Sequence, residues 1–172
     1  MELKQLIHQA ESGEADAQYL LAMKYIYGDG VEEDNEKAFI LLTESAAQGH
    51  MEASYNLGIC YHYGYGTAVD HEKAFRYYMR AAAAGHGKGM TLVGKFYYDG
   101  VYVHQDYQQA VMWFRKALDS GDISAVAYAQ FLLGRCYARG HGVPQSKETA
   151  LSLYQKAAAN GDPNAAQILT EL

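Results

Sequence analysis

The stretch Ala53-Ser54-Tyr55-Asn56-Leu57-Gly58-Ile59-Cys60-Tyr61-His62-Tyr63-Gly64-Tyr65-Gly66, followed by Asp70-His71-Glu72-Lys73-Ala74 and closed by Ala81-Ala82-Ala83-Ala84-Gly85, is one copy of a pattern that recurs along the chain. Gly13, Gly49 and Gly85 stand 36 residues apart and are followed by Gly121 and Gly161. A second series, Gly28, Gly64, Gly100 and Gly140, lies 21 residues before the members of the first. The period is therefore 36, 36 and then 40 residues. The four extra residues fall between Gly121 and Gly134 and equal about one helical turn, which predicts a lengthened helix.

Other columns keep the same period. Tyr25, Tyr61, Tyr97 and Tyr137 align, as do Leu21, Leu57, Val93 and Leu133. Ala38, Ala74, Ala110 and Ala150 align and are followed four residues later by Leu42, Tyr78, Phe114 and Tyr154. Steps of three, four and seven mark one face of a helix. Each unit thus reads as two helices, a helix A near 53–63 and a helix B near 70–84 in the second unit. Both glycine series follow a helix, where a left-handed terminal residue suits Gly. Gly58, Gly94 and Gly134, with Ala22 in the first unit, lie inside helix A. There Gly sacrifices about 1 kcal/mol of helix propensity, which close approach of the partner helix would offset.

This pattern resembles the Sel1-like repeat, a relative of the tetratricopeptide repeat. Four units cover residues 17–164 as 17–52, 53–88, 89–128 and 129–164, with 1–13 and 165–172 as capping half-repeats. Departures are confined to single positions: Ala22 for a Gly, Tyr102 for the second loop Gly, and Ser146 for the Asp before helix B. The resemblance implies an all-α superhelical solenoid whose A helices line a concave, partner-binding face. It also implies a non-catalytic scaffold or adaptor that captures a peptide or helix in that groove. A bacterial immunity or inhibitor protein that occludes a toxin is the alternative. An enzyme comes third, since the family offers it little support; no Ser-His-Asp or paired-carboxylate arrangement stands out.

Composition narrows the partner. The 172 residues are 49% hydrophobic with net charge −6, which supports a packed core and disfavours nucleic acid. The charge is uneven: residues 1–52 carry net −8 and residues 53–172 net +2. No apolar run approaches the roughly 20 residues that span a bilayer. The N-terminus has no signal-peptide pattern, so a cytoplasmic protein without membrane insertion is expected, or a periplasmic or secreted one if a leader has been removed. A monomer is expected as well.

Helix A positions divide by angle into two sides. The outward columns are Tyr19, Tyr55, Thr91, Phe131; Met23, Ile59, Lys95, Arg135; Ile26, His62, Tyr98, Ala138; and Tyr27, Tyr63, Asp99, Arg139. The candidate contact residues are Tyr19, Met23, Tyr27, Tyr55, Ile59, Tyr63, Lys95, Tyr98, Arg135 and Arg139, since Tyr and Arg are enriched at binding hot spots. For the aromatic members, packing between A helices is the competing reading.

No catalytic residue, cofactor or metal site emerges. Cys60 and Cys136 share a column two units apart. A disulfide needs Cα atoms within about 7 Å, whereas neighbouring helices already lie about 10 Å apart, so free thiols are expected. This sets the chain apart from the disulfide-rich secreted members of the family it resembles. Of the seven histidines, His50 and His86 follow a helix-B Gly and read as turn residues. The other sequence signals lack ligand spacing. Gly85-His86-Gly87-Lys88-Gly89-Met90-Thr91 lacks the phosphate-loop spacing and follows a helix. The acids Glu32, Glu33 and Asp34 lack calcium-loop spacing and suit a helix N-terminus.

Overall fold

Asp34, Asp70, Asp106 and Ser146 each stand one residue before a helix B and accept a hydrogen bond from a backbone N–H of its first turn. The partners are Lys37, Lys73, Gln109 and Thr149, at 2.9, 2.9, 2.9 and 3.1 Å. Ser146 thus does the work of the Asp it replaces. The backbone N–H groups of the same four residues donate to the carbonyls of Tyr25, Tyr61, Tyr97 and Tyr137, closing each loop in one geometry. These bonds, together with the cations of Lys37 and Lys73, hold the carboxyls of Asp34 and Asp70 below their ordinary pKa of 3.8.

The computed structural model describes residues 2–171. Among these it has ten helices and no strand: α1 (Leu3–Glu11), α2 (Ala15–Tyr27), α3 (Asn35–Ala47), α4 (Met51–Tyr63), α5 (His71–Ala83), α6 (Gly87–Asp99), α7 (Tyr107–Leu118), α8 (Ile123–Arg139), α9 (Lys147–Ala159) and α10 (Pro163–Thr170). The capping half-repeats expected at 1–13 and 165–172 therefore contain α1 and most of α10, with Met1 and Leu172 outside the described residues. The expected lengthening falls on α8, with 17 residues against 13 in α4 and α6.

The chain divides into two compact units, Met1–Ala84 and Gly85–Leu172. In the first, α1 packs on α2, α2 on α3, α3 on α4 and α4 on α5. Leu6, Ala10, Ala17 and Leu21 seal the α1–α2 contact. Ala22, Ala38, Leu42, Ala53 and Leu57 form the layer beneath. In the second unit α6 and α8 pack together, and α6–α7, α8–α9 and α9–α10 pair in turn. Its core is built from Phe114, Leu132, Leu133, Cys136 and Tyr154.

Within each A–B pair, residue size is matched. A Cβ placed on Gly58 would lie 2.6 Å from the Tyr78 ring, on Gly94 2.6 Å from Phe114, and on Gly134 2.7 Å from Tyr154. These rings fill the space the missing side chains leave. In the first repeat the partner is the smaller Leu42, and Ala22 fits; both are fully buried. The close approach expected at the mid-helix glycines is thus an aromatic ring resting on bare backbone.

Candidate partner-binding surfaces

The A helices start on a column that spacing alone left as turn chemistry. His50 and His86 are N-caps: Nδ1 accepts from the N–H of Ala53 at 3.1 Å and of Gly89 at 3.0 Å. Asp122 and Asp162 cap α8 and α10 at the corresponding positions. The accepting role places the lone pair on Nδ1 of both rings.

In the first unit the candidate residues occupy two depths. Tyr19 is half-buried and stacks on His50 at 4.6 Å between centroids. Tyr55 is half-buried against Tyr78, 6.1 Å away. Met23 and Ile59 are half-buried too. Tyr27 and Tyr63, the last residues of α2 and α4, are 74% and 56% exposed. Tyr63 lies flat on His62 at 4.4 Å and stacks with Tyr65 at 5.8 Å. His62 is fixed from below, with Nδ1 3.2 Å from the Tyr78 hydroxyl. Burial raises the pKa of that hydroxyl, keeping it a neutral donor or acceptor. Tyr65, 51% exposed, was not among the candidates. Its signal was a Tyr between two loop glycines where the other repeats carry Asp29, Val101 and His141. A shallow depression lined by Leu6, Leu20, Met23, Lys24, Tyr27 and Asp29 adjoins Tyr27.

The second unit corrects one expectation. Tyr98 is only 6% exposed, so it is a packing residue and not an outward contact. Its hydroxyl meets Nδ1 of His141 at 3.0 Å, and Tyr107 packs edge-on at 5.2 Å while stacking on His141 at 4.1 Å. Thr91 and Phe131, placed outward by the same angular argument, are buried as well. Lys95 is half-buried and spends its charge on Asp99, one turn ahead. Arg135 lies over the rings of Tyr98 and Phe131, at 5.4 and 5.9 Å, and only Arg139 stands in the open.

No group of three or more His, Cys, Asp or Glu among the described residues is placed to hold a metal ion. No described helix is long and apolar enough to cross a membrane. Cys60 and Cys136 are buried and unlinked, and burial pushes both thiols from 9.0 up to about 11. The reactive species is the thiolate, so iodoacetamide at about pH 8 is expected to label neither at an appreciable rate in native protein. Both are labelled promptly in denaturant, as intact mass would show. Rapid native labelling would contradict the burial.

The comparisons agree with this architecture. The Sel1 repeat model matches residues 15–50, 52–86, 87–122 and 127–162. A protective antigen from uropathogenic Escherichia coli strains, with an SLR fold, is 33% identical over 98% of this chain, TM-score 0.87. A Sel1 repeat protein from Oxalobacter formigenes is 37% identical over 96%, TM-score 0.77. The chain spans 35% and 47% of the lengths of these two proteins. Cysteine-rich protein B of Helicobacter pylori is 25% identical, with 82% of this chain and 98% of that one covered and a TM-score of 0.57. No curated protein matches. The paired helices, the recurring caps and the four matched segments lead to one conclusion: the chain belongs to the Sel1 repeat family, an all-α fold that generally serves protein–protein interaction.

Proposed function

We propose that this protein is a non-catalytic adaptor that captures a partner protein on the exposed A-helix surface of its first unit. The observation that carries the reading is the Tyr63–Tyr65 stack, open to solvent yet pinned on His62 and, through it, on Tyr78. Large amphipathic rings held in place before binding lose little conformational freedom on contact. Ile59, Met23 and Tyr27 extend the apolar part of the surface. Arg139 of the second unit is a separate exposed charge that suits the rim of an interface, where charges set association rate more than affinity. The free buried thiols support a reducing, cytoplasmic setting.

Affinity capture followed by calorimetry with the purified captured protein tests the reading. Tyr63→Ala and Tyr27→Ala are each expected to weaken binding by at least about 1 kcal/mol, the loss that defines a contributing contact. Circular dichroism should stay unchanged. Full affinity in both variants would remove this surface from the interface.

A further inference from the structure

Four copies of one repeat provide an internal control for surface positions. On the outer side of the α4–α5 pair, Tyr61, Lys73, Arg76, Tyr77 and Arg80 line an open pocket. Tyr61 and Tyr77 stack nearly parallel, 5.7 Å apart with 9° between planes. Lys73 sits over Tyr61 at 5.1 Å and pairs with Asp70 at 3.3 Å. The first repeat has the same Lys and Tyr arrangement, with Lys37 over Tyr25 at 5.4 Å and paired with Asp34 at 2.9 Å. Lys73 is therefore shared with the first repeat and does not by itself set this pocket apart.

Arg76, Tyr77 and Arg80 are not shared. Their counterparts are Ile40, Leu41 and Glu44 in the first repeat, Met112, Trp113 and Lys116 in the third, and Ser152, Leu153 and Lys156 in the fourth. Only the second repeat has Arg at both outer positions, four residues apart on one helix face. Both are exposed and neither has an ion pair among the described residues, even with Glu72 one turn before Arg76. Like charges at this spacing destabilise a helix, a repulsion that a bound anion would relieve. The chain as a whole is negative, at −6, so this is a local reversal of its charge.

We infer that this pocket docks an acidic segment of a partner protein, carboxylates facing Arg76 and Arg80 and an apolar side chain resting on the Tyr61–Tyr77 pair. Arg guanidinium groups take carboxylates in forked, two-bond geometry, which suits them to this role. Nucleic acid fits poorly, because duplex binding relies on many phosphate contacts and the surrounding chain is acidic. A lipid surface calls for a larger basic cluster, roughly four to eight residues. The inference rests on the protein-binding reading above and adds a second contact of defined chemistry.

The probe is a fluorescein-labelled decapeptide of alternating Glu and Leu, followed by anisotropy at low ionic strength. Saturable binding is expected, weakened at least about tenfold by Arg76→Glu with Arg80→Glu and progressively by added salt. Tyr77→Ala weakens it too, while Tyr63→Ala leaves it unchanged. Lys116→Glu with Lys156→Glu makes the same change in net charge elsewhere and should leave binding intact. Arg76→Gln with Arg80→Gln replaces the reversal variant if circular dichroism shows the latter unfolded. The inference is overturned by absence of saturable binding or by equal loss in the two reversal pairs. It is also overturned by tighter binding to a duplex oligonucleotide or to phosphatidylserine vesicles, or by inorganic phosphate displacing the peptide at equal concentration. The adaptor reading fails separately, through Tyr63→Ala and Tyr27→Ala retaining full affinity for the captured partner.

Discussion

Gly142→Ala is expected to destabilise the protein by about 2–5 kcal/mol, although it adds only one methyl group at an exposed loop residue. Gly142 has φ +71°, in the left-handed region that costs an L-residue about 1–2 kcal/mol. Its Cβ would also fall 2.3 Å from the carbonyl oxygen of Tyr107 and 2.9 Å from the N–H nitrogen of Gln108. Both atoms belong to the opening turn of α7, whose backbone is tied by the Asp106 cap and cannot yield as a side-chain tip would. Overpacking of this kind costs about 1–3 kcal/mol more. Urea unfolding followed by circular dichroism measures the loss. The third repeat carries Tyr102 at the equivalent position with φ 63°, so Tyr102→Gly should change stability by less than about 1 kcal/mol. A neutral Gly142→Ala would show that the loop, and not the helix, adjusts.

Gly94→Ala, the second large effect, runs against helix propensity. The exchange favours the helix by about 1 kcal/mol in isolation. Here the new Cβ would lie 2.6 and 2.7 Å from two ring atoms of Phe114 and 3.1 Å from the Ala110 carbonyl oxygen. Phe114 is fully buried, so its ring yields only by disturbing the core packed around it. With overpacking at the upper end of its usual range, about 2–3 kcal/mol, a net loss of about 1–2 kcal/mol follows. The first repeat supplies the remedy in its Ala22–Leu42 pair: Phe114→Leu in the Gly94→Ala background should cost less than Phe114→Leu alone. A coupling of about 1 kcal/mol from the double-mutant cycle would confirm the match of sizes. Strict additivity would refute it.

The fold was legible because its determinants are local and repeated four times. The glycines that end α2, α4, α6 and α8 take positive φ, and the four-residue insertion appears as one extra turn of α8. The candidate surface was less legible because depth is not a property of a single helix. Tyr98 has the same angular position as half-buried His62, yet Tyr107 and His141 enclose it. Lys95 points outward as its angle requires, but Asp99 neutralises it, since an i,i+4 neighbour matters as much as orientation. Tyr65 lay outside both helical patterns. Arg76 and Arg80 lie on a B helix, outside the A-helix columns that carry the sequence expectation, although the difference between repeats is as plain there.

The length of α8 bears on a hazard peculiar to periodic chains. A sequence that nearly superposes on itself after 36 residues offers wrong pairings almost as good as the right one, within one molecule or between two. The 17 residues of α8 break that translational near-symmetry, because a chain slipped by one unit would have to seat an overlong helix in a place built for 13. The size-matched pairs act in the same direction: slippage would drive Tyr78 against Ala22, or leave Gly58 facing Leu42 across a void. The irregularities thus work as registration marks, singling out one alignment among near-equivalent ones during folding.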